Sequence, residues 1–144
     1  MIPKVGAYII RQGTQGPQLL VFAHEAFPEV PVQIPGGTVE KDESPEAALH
    51  REIEEESGLN NLPLIRKLGI GYYFWEAANA EVEGHCYLLQ APDDVPDSWR
   101  HVVRGNGEDS GLVFLYSWRF ARDLTLGGVV GQFLCREHIP ELYD

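Results

Sequence analysis

Apolar residues along this chain fall in short runs separated by turn chemistry, a pattern that predicts strands before it predicts helices. VGAYII, QGTQGP and QLLVFAH read as two β-runs joined by a turn containing glycine and proline, a hairpin that opens the domain. EAFPEVPVQIPGG follows, its prolines leading to a glycine pair, and reads as a loop ending at a fixed turn. Further on, PLIRKLGIGYYFWEA and EGHCYLLQ flank ANAEV as a second hairpin rich in aromatic and branched residues. WRHVV then leads through RGNGEDSG into LVFLYSW, where a period of two puts Leu112, Phe114, Tyr116 and Trp118 on one strand face.

One segment between the hairpins carries helical signals. Ser44 is a capping residue, Pro45 suits the first helical position and Glu46 favours the positive end of the helix dipole. Gly58 suits the left-handed stop and Leu59 its accompanying apolar contact. The helix is expected over residues 45 to 57. The tail DLTLGGVVGQFLCREHIPELYD reads as a second helix with irregular ends, although Gly127, Gly128 and Gly131 weaken it. No repeat or linker divides the chain, so residues 1 to 144 form a single domain with a mixed sheet covered by helices, an α+β or α/β sandwich.

Charge changes the picture. The chain has 22 acidic and 11 basic residues, a formal net charge of -11, which disfavours unassisted binding to nucleic acid or anionic membranes. There is no apolar run of the roughly 18 to 20 residues that span a bilayer, and MIPKVGAYIIRQG lacks the apolar core of a signal peptide. A cytoplasmic location is the default expectation. Cys86 and Cys135 lie in apolar surroundings without zinc-ligand spacing and read as free buried thiols. The five histidines form no zinc motif.

Much of the negative charge gathers in the helix. Spacings of three and four residues put Glu52, Glu55 and Glu56 on one face. Leu49 and Ile53 lie on an adjoining arc that can enter the core, while His50 and Glu54 turn outward. Such like-charged neighbours repel, and hard divalent cations offset that repulsion through carboxylate oxygens. Two readings of these residues stand: a Mg2+ or Mn2+ platform, or a solvated acidic surface. Gly36 and Gly37 allow close approach, so a backbone carbonyl there is a further oxygen donor. Arg51 can orient a carboxylate in a bidentate contact, with Glu43 as candidate partner.

Residues 37 to 59 match, at every constrained position, the signature of the Nudix hydrolase family, G-x5-E-x7-R-E-U-x-E-E-x-G-U with U bulky and aliphatic. The matching residues are Gly37, Glu43, Arg51, Glu52, Ile53, Glu55, Glu56, Gly58 and Leu59. This resemblance implies an α/β/α sandwich with a mixed sheet and hydrolysis of a nucleoside diphosphate linked to another moiety. It also implies that Glu52, Glu55 and Glu56 bind metal, with the Gly36 carbonyl as a further ligand and Glu52 as the candidate base. Arg51 and Glu43 resemble the pair that orders loop and helix. Family members often add a carboxylate from a downstream loop, here Glu108 or Asp109, with Glu108 taken as the metal candidate.

Substrate choice is less legible. The NADH pyrophosphatase stretch SQPWPFPxS and the coenzyme A pattern LLTxR are absent. Phe74 and Glu76 stand where two other subgroups place a proline and a tyrosine. Tyr73 and Trp75 share one strand face and Tyr72 and Phe74 the other, so one pair is available to stack a base while the other enters the core. Core packing is the more ordinary fate of either pair. Tyr73, Trp75 and Phe27 are the substrate-binding candidates, and Lys41, Arg66, Lys67, Arg100 and Arg104 are available for phosphates. A small nucleotide-type substrate with Mg2+ is the leading expectation. The rival class is a non-catalytic nucleotide-sensing or protein-binding module.

Overall fold

The computed structural model describes residues 1–127 and 131–143. β1 (Ile2–Gly13) turns directly into β2 (Gly16–His24), the opening hairpin. The three-residue β3 (Gly36–Thr38) lies beside β1 at the end of the proline-containing loop. β4 (Leu64–Trp75) and β5 (Ala80–Gln90) form the second hairpin, and β6 (Ser98–Val102) pairs with β7 (Val113–Arg119). All join one seven-stranded sheet in the order β4-β5-β1-β2-β7-β6, with β3 off this path. β1 and β5 are parallel and the other pairs antiparallel, which makes the sheet mixed.

The long helix among the described residues, α1 (Pro45–Ser57), has the bounds its cap residues predict. Ser44 Oγ accepts the Ala47 N–H at 3.1 Å, and Gly58, at φ 81°, closes the helix by donating its N–H to the Glu54 carbonyl at 2.9 Å. A side chain at that φ would be strained, so glycine is the natural stop.

The period of two sorts the central strands between two apolar layers. Val5, Ala7, Ile9, Leu20 and Phe22 face α1 and meet Leu49 and Ile53. Tyr8, Ile10, Leu19 and Val21 face the other way and meet Phe133, Ile139 and Leu142 of the tail. Burial of each valine, leucine, isoleucine or phenylalanine side chain among them contributes about 1.5–3 kcal/mol. Because both faces are covered, β1 is buried without a break from Val5 to Ile10. β7 keeps the expected alternation, with Phe114, Tyr116 and Trp118 buried and Leu112 packed against the same layer.

Three expectations need correction. The tail covers the second face without being a continuous helix: among the described residues Gly131 and Gln132 are helical, and 3-10 turns lie at Ala121–Asp123 and Pro140–Leu142. The middle of the expected helix, residues 128 to 130, lies outside the described residues. Pro140, which opens the last of these turns, cannot continue a preceding helix. Secondly, Tyr72 and Phe74 do not enter the core, being 58% and 51% exposed. β4 is an edge strand, and α1 packs over β1, β3 and the β6–β7 end instead. Thirdly, only Cys86 is buried and Cys135 is half-buried, both as free thiols. Burial pushes the Cys86 thiol up to about 12. No helix among the described residues is long and apolar enough to cross a membrane.

Candidate active site

Leu49 and Ile53 anchor α1, and this sets how deeply its acidic face sits. Glu56 is 5% exposed, Glu52 and Glu55 are half-buried, and Glu54 is exposed. The end of the helix is pinned from several directions. Tyr116 donates its O–H to the Glu56 carbonyl and Trp99 its indole N–H to the Ser57 carbonyl, both at 2.9 Å. The Arg104 N–H reaches the Glu55 carbonyl at 2.9 Å, and His101 Nε2 lies at the same distance from it. These contacts also draw the β6–β7 loop toward the acids.

Arg51 organises the remaining carboxylates. Its Nε and Nη2 donate to Glu43 at 2.8 and 2.9 Å, a bidentate pair, and Nη2 also reaches the Thr38 carbonyl at 3.0 Å. Nη1 donates to Glu52 at 2.9 Å and Glu55 at 3.2 Å. Loop, β3 and helix are thereby tied together. The hydrogen bonds to Arg51 hold Glu43 below the usual carboxylate range and raise the guanidinium further. Gly37 explains itself by contact: a Cβ there would collide with the Glu52 carboxylate.

Burial acts in the opposite sense deeper in the site. It raises Glu52 despite Arg51, with Glu55 and Asp109 adding to the rise. It pushes Glu56 up to about 8, opposed by a 3.0 Å hydrogen bond from the Gly36 N–H and reinforced by Glu52, Asp109 and Glu55. The proximity of these acids is therefore written into their electrostatics. Among the described residues, no three His, Cys, Asp or Glu side chains form a ready-made metal cage; Arg51 Nη1 lies between Glu52 and Glu55. The donor set still fits Mg2+ or Mn2+, because Glu52, Glu55, Glu56 and Asp109 offer hard carboxylate oxygens and no thiolate.

A cleft of about 480 Å³ opens beside the acids, lined by Lys4, Gly36, Gly37, Glu56, Tyr73 and Asp109 among others. Val32, Ile34 and Pro35 supply an apolar wall. Tyr73 lies in this cleft, and Trp75, on the same strand face, sits under Lys4, whose Nζ is 3.7 Å from the ring centroid. Phe27 is elsewhere, 46% exposed and edge-on to His24 at 6.4 Å. Of the two downstream acids, Asp109 lines the cleft and Glu108 does not.

Several basic residues considered for phosphates are engaged away from it. Arg66 pairs with Glu141, Lys67 with His85, and Arg100 with Glu25. Sequence reasoning passed over Lys4, although a lone cation inside the apolar run IPKVGAYII was a visible signal. Burial lowers its pKa, while Glu108, Asp109 and Glu52 oppose that fall.

The family model for the NUDIX domain matches residues 2–110. The chain belongs to the Nudix family. Similar solved structures include the dihydroneopterin triphosphate pyrophosphohydrolase of E. coli, 18% identical over 96% of this chain and 95% of that one, with a TM-score of 0.69. A MutT NUDIX hydrolase from Burkholderia pseudomallei is 25% identical over 96% and 97%, at 0.63. The NUDIX domain of Shewanella oneidensis NrtR, solved with ADP ribose, is 16% identical over 100% and 89%, at 0.68. No curated protein matches the chain.

Proposed function

We propose that the chain is a metal-dependent pyrophosphohydrolase acting on a nucleoside diphosphate linked to another moiety. Nucleoside triphosphates and dinucleoside polyphosphates are the first substrates to test. The observation that carries this reading is the set of mutually interacting acids, Glu52, Glu55, Glu56 and Asp109, beside an open cleft with an apolar wall. Glu52, Glu55 and Glu56 would hold Mg2+ or Mn2+, with the Gly36 carbonyl and the Glu108–Asp109 loop as further oxygen donors. When bound, the metal supplies charge neutralisation and Lewis acidity at the anhydride.

The chain's own residues do the rest. Glu52 accepts the proton of the attacking water, Arg51 keeps that carboxylate oriented, and the Arg51–Glu43 pair holds the loop against the helix. Tyr73 and Trp75 provide ring faces for a base.

A product-resolved screen tests the reading against nucleoside triphosphates, dinucleoside polyphosphates, nucleotide sugars, ADP-ribose, NADH and capped RNA, each with Mg2+ or Mn2+. Glu55→Gln and Glu56→Gln should each lower turnover about 100-fold or more without unfolding the chain. Full activity in both would rule the mechanism out. A second reading, nucleotide binding without cleavage, draws on the fold shared with the NrtR domain complexed with ADP ribose and on Arg51 lying between Glu52 and Glu55. Tight calorimetric binding with no product from any substrate would favour it.

A further inference from the structure

The cleft of this acidic chain contains a cation that the carboxylates do not neutralise by contact. Lys4 is half-buried, yet among the described residues it has no carboxylate within 4.0 Å. Arg11, Arg51, Arg66 and Arg100 all have such a partner. The Lys4 ammonium rests instead on the Trp75 ring, 3.7 Å from its centroid. An aromatic face attracts a cation without occupying its N–H donors as a carboxylate would, so those donors stay available.

Lys4 lines the cleft, and its neighbours across the sheet are small. Its register partner on β5 is Gly84, which also lines the cleft, and its partner on β3 is Thr38, next to Gly36 and Gly37. Lys4 therefore stands beside the loop of the acidic site, with Gly84 and Thr38 as its cross-strand neighbours. A desolvated ammonium with free donors is suited to a compact anion carrying several acceptor oxygens.

We infer that Lys4 binds the phosphate oxygens of the substrate that the acidic helix does not serve, and that Trp75 positions its ammonium to do so. The inference rests on the pyrophosphate reading above for the identity of the anion. In a cleft lined also by the acids Glu56 and Asp109, Lys4 attracts the diphosphate directly and sets its direction along the cleft. Trp75 thereby acts through Lys4 as a positioning residue, whether or not a base also meets its ring.

The competing explanation is that Lys4 merely offsets the charge of Glu52, Glu108 and Asp109. The two differ in what they move. Calorimetry with α,β-methylene-ADP, which cannot be cleaved at that bridge, and with Mn2+ alone separates them in the full chain. Lys4→Met should weaken the diphosphate analogue about tenfold or more and leave Mn2+ affinity within about twofold, with Lys4→Arg recovering most of the loss. Trp75→Leu should weaken the analogue in the same direction but less. Adenosine, which has no phosphate, should bind equally to wild type and Lys4→Met.

Unchanged analogue affinity in Lys4→Met overturns the inference, as does a change in Mn2+ affinity as large as that for the analogue. Failure of the wild type to bind the analogue or inorganic pyrophosphate at millimolar concentration also overturns it. Should Lys4→Met fail to fold, Lys4→Gln is read by the same criteria. Absence of wild-type turnover in the substrate screen would defeat the hydrolase reading alone, since analogue binding still decides the role of Lys4.

Discussion

Arg51 holds Glu43, Glu52, Glu55 and the Thr38 carbonyl at once. Its removal leaves several partly buried carboxylates facing one another, which costs more than the loss of a single surface pair. Arg51→Met is expected to lower the unfolding free energy by more than about 2 kcal/mol in urea denaturation. Arg51→Lys keeps the charge but cannot reproduce the two-pronged contact with Glu43, and should fall between the two. Equal stability of all three proteins would show that the arginine fork contributes nothing. The Glu43–Arg51 pair was readable from sequence because both residues belong to one short signature, and the structure joins them as that spacing suggests. Lys4 stood out only as a lone cation in an apolar run, and its role was not readable, because nothing within β1 reveals that Trp75 and the cleft beside Glu56 will meet it.

At the scale of elements, the edge strand β4 is tied to the C-terminal tail by Arg66, which donates to both Glu141 oxygens at 2.6 and 3.0 Å and to the His138 carbonyl at 2.8 Å. The hydrogen bonds from Arg66 hold Glu141 below its ordinary value of 4.5. For a carboxyl whose folded value is depressed, the stabilisation is complete above the unfolded value and lost as pH falls through the folded one. The tail should therefore keep its protection from an acid-active protease above about pH 4.5 and lose it on further acidification. Glu141→Gln should be more readily cleaved at higher pH and show a weaker pH dependence. Matching profiles would mean that this pair does not hold the tail. The strands and α1 were legible because alternation and caps are local signals. The fate of Tyr72 and Phe74 was not, because an edge strand and a covered strand can share one apolar pattern, and only the sheet order tells them apart.

For the whole molecule, the proposed function makes divalent metal a ligand of the folded state, drawn by a net charge of -11 and by an acidic helix face that folding partly buries. Binding confined to that state stabilises by mass action. Mn2+ at 100 times its dissociation constant should add about 2.7 kcal/mol, roughly 5–10 °C in melting temperature. Glu56→Gln should lose most of this gain, while a gain equal to wild type would place the metal elsewhere. By itself the sequence determined α1 and its ends, the hairpins, the Nudix family and the acidic face, because these depend on residues a few positions apart. Only the tertiary structure decided that Lys4 and Tyr73 line one cleft with Glu56, that Asp109 rather than Glu108 lines it, and that the tail covers the second face of the sheet. Those facts depend on strand order and loop docking, which bring distant segments together at positions no local spacing encodes.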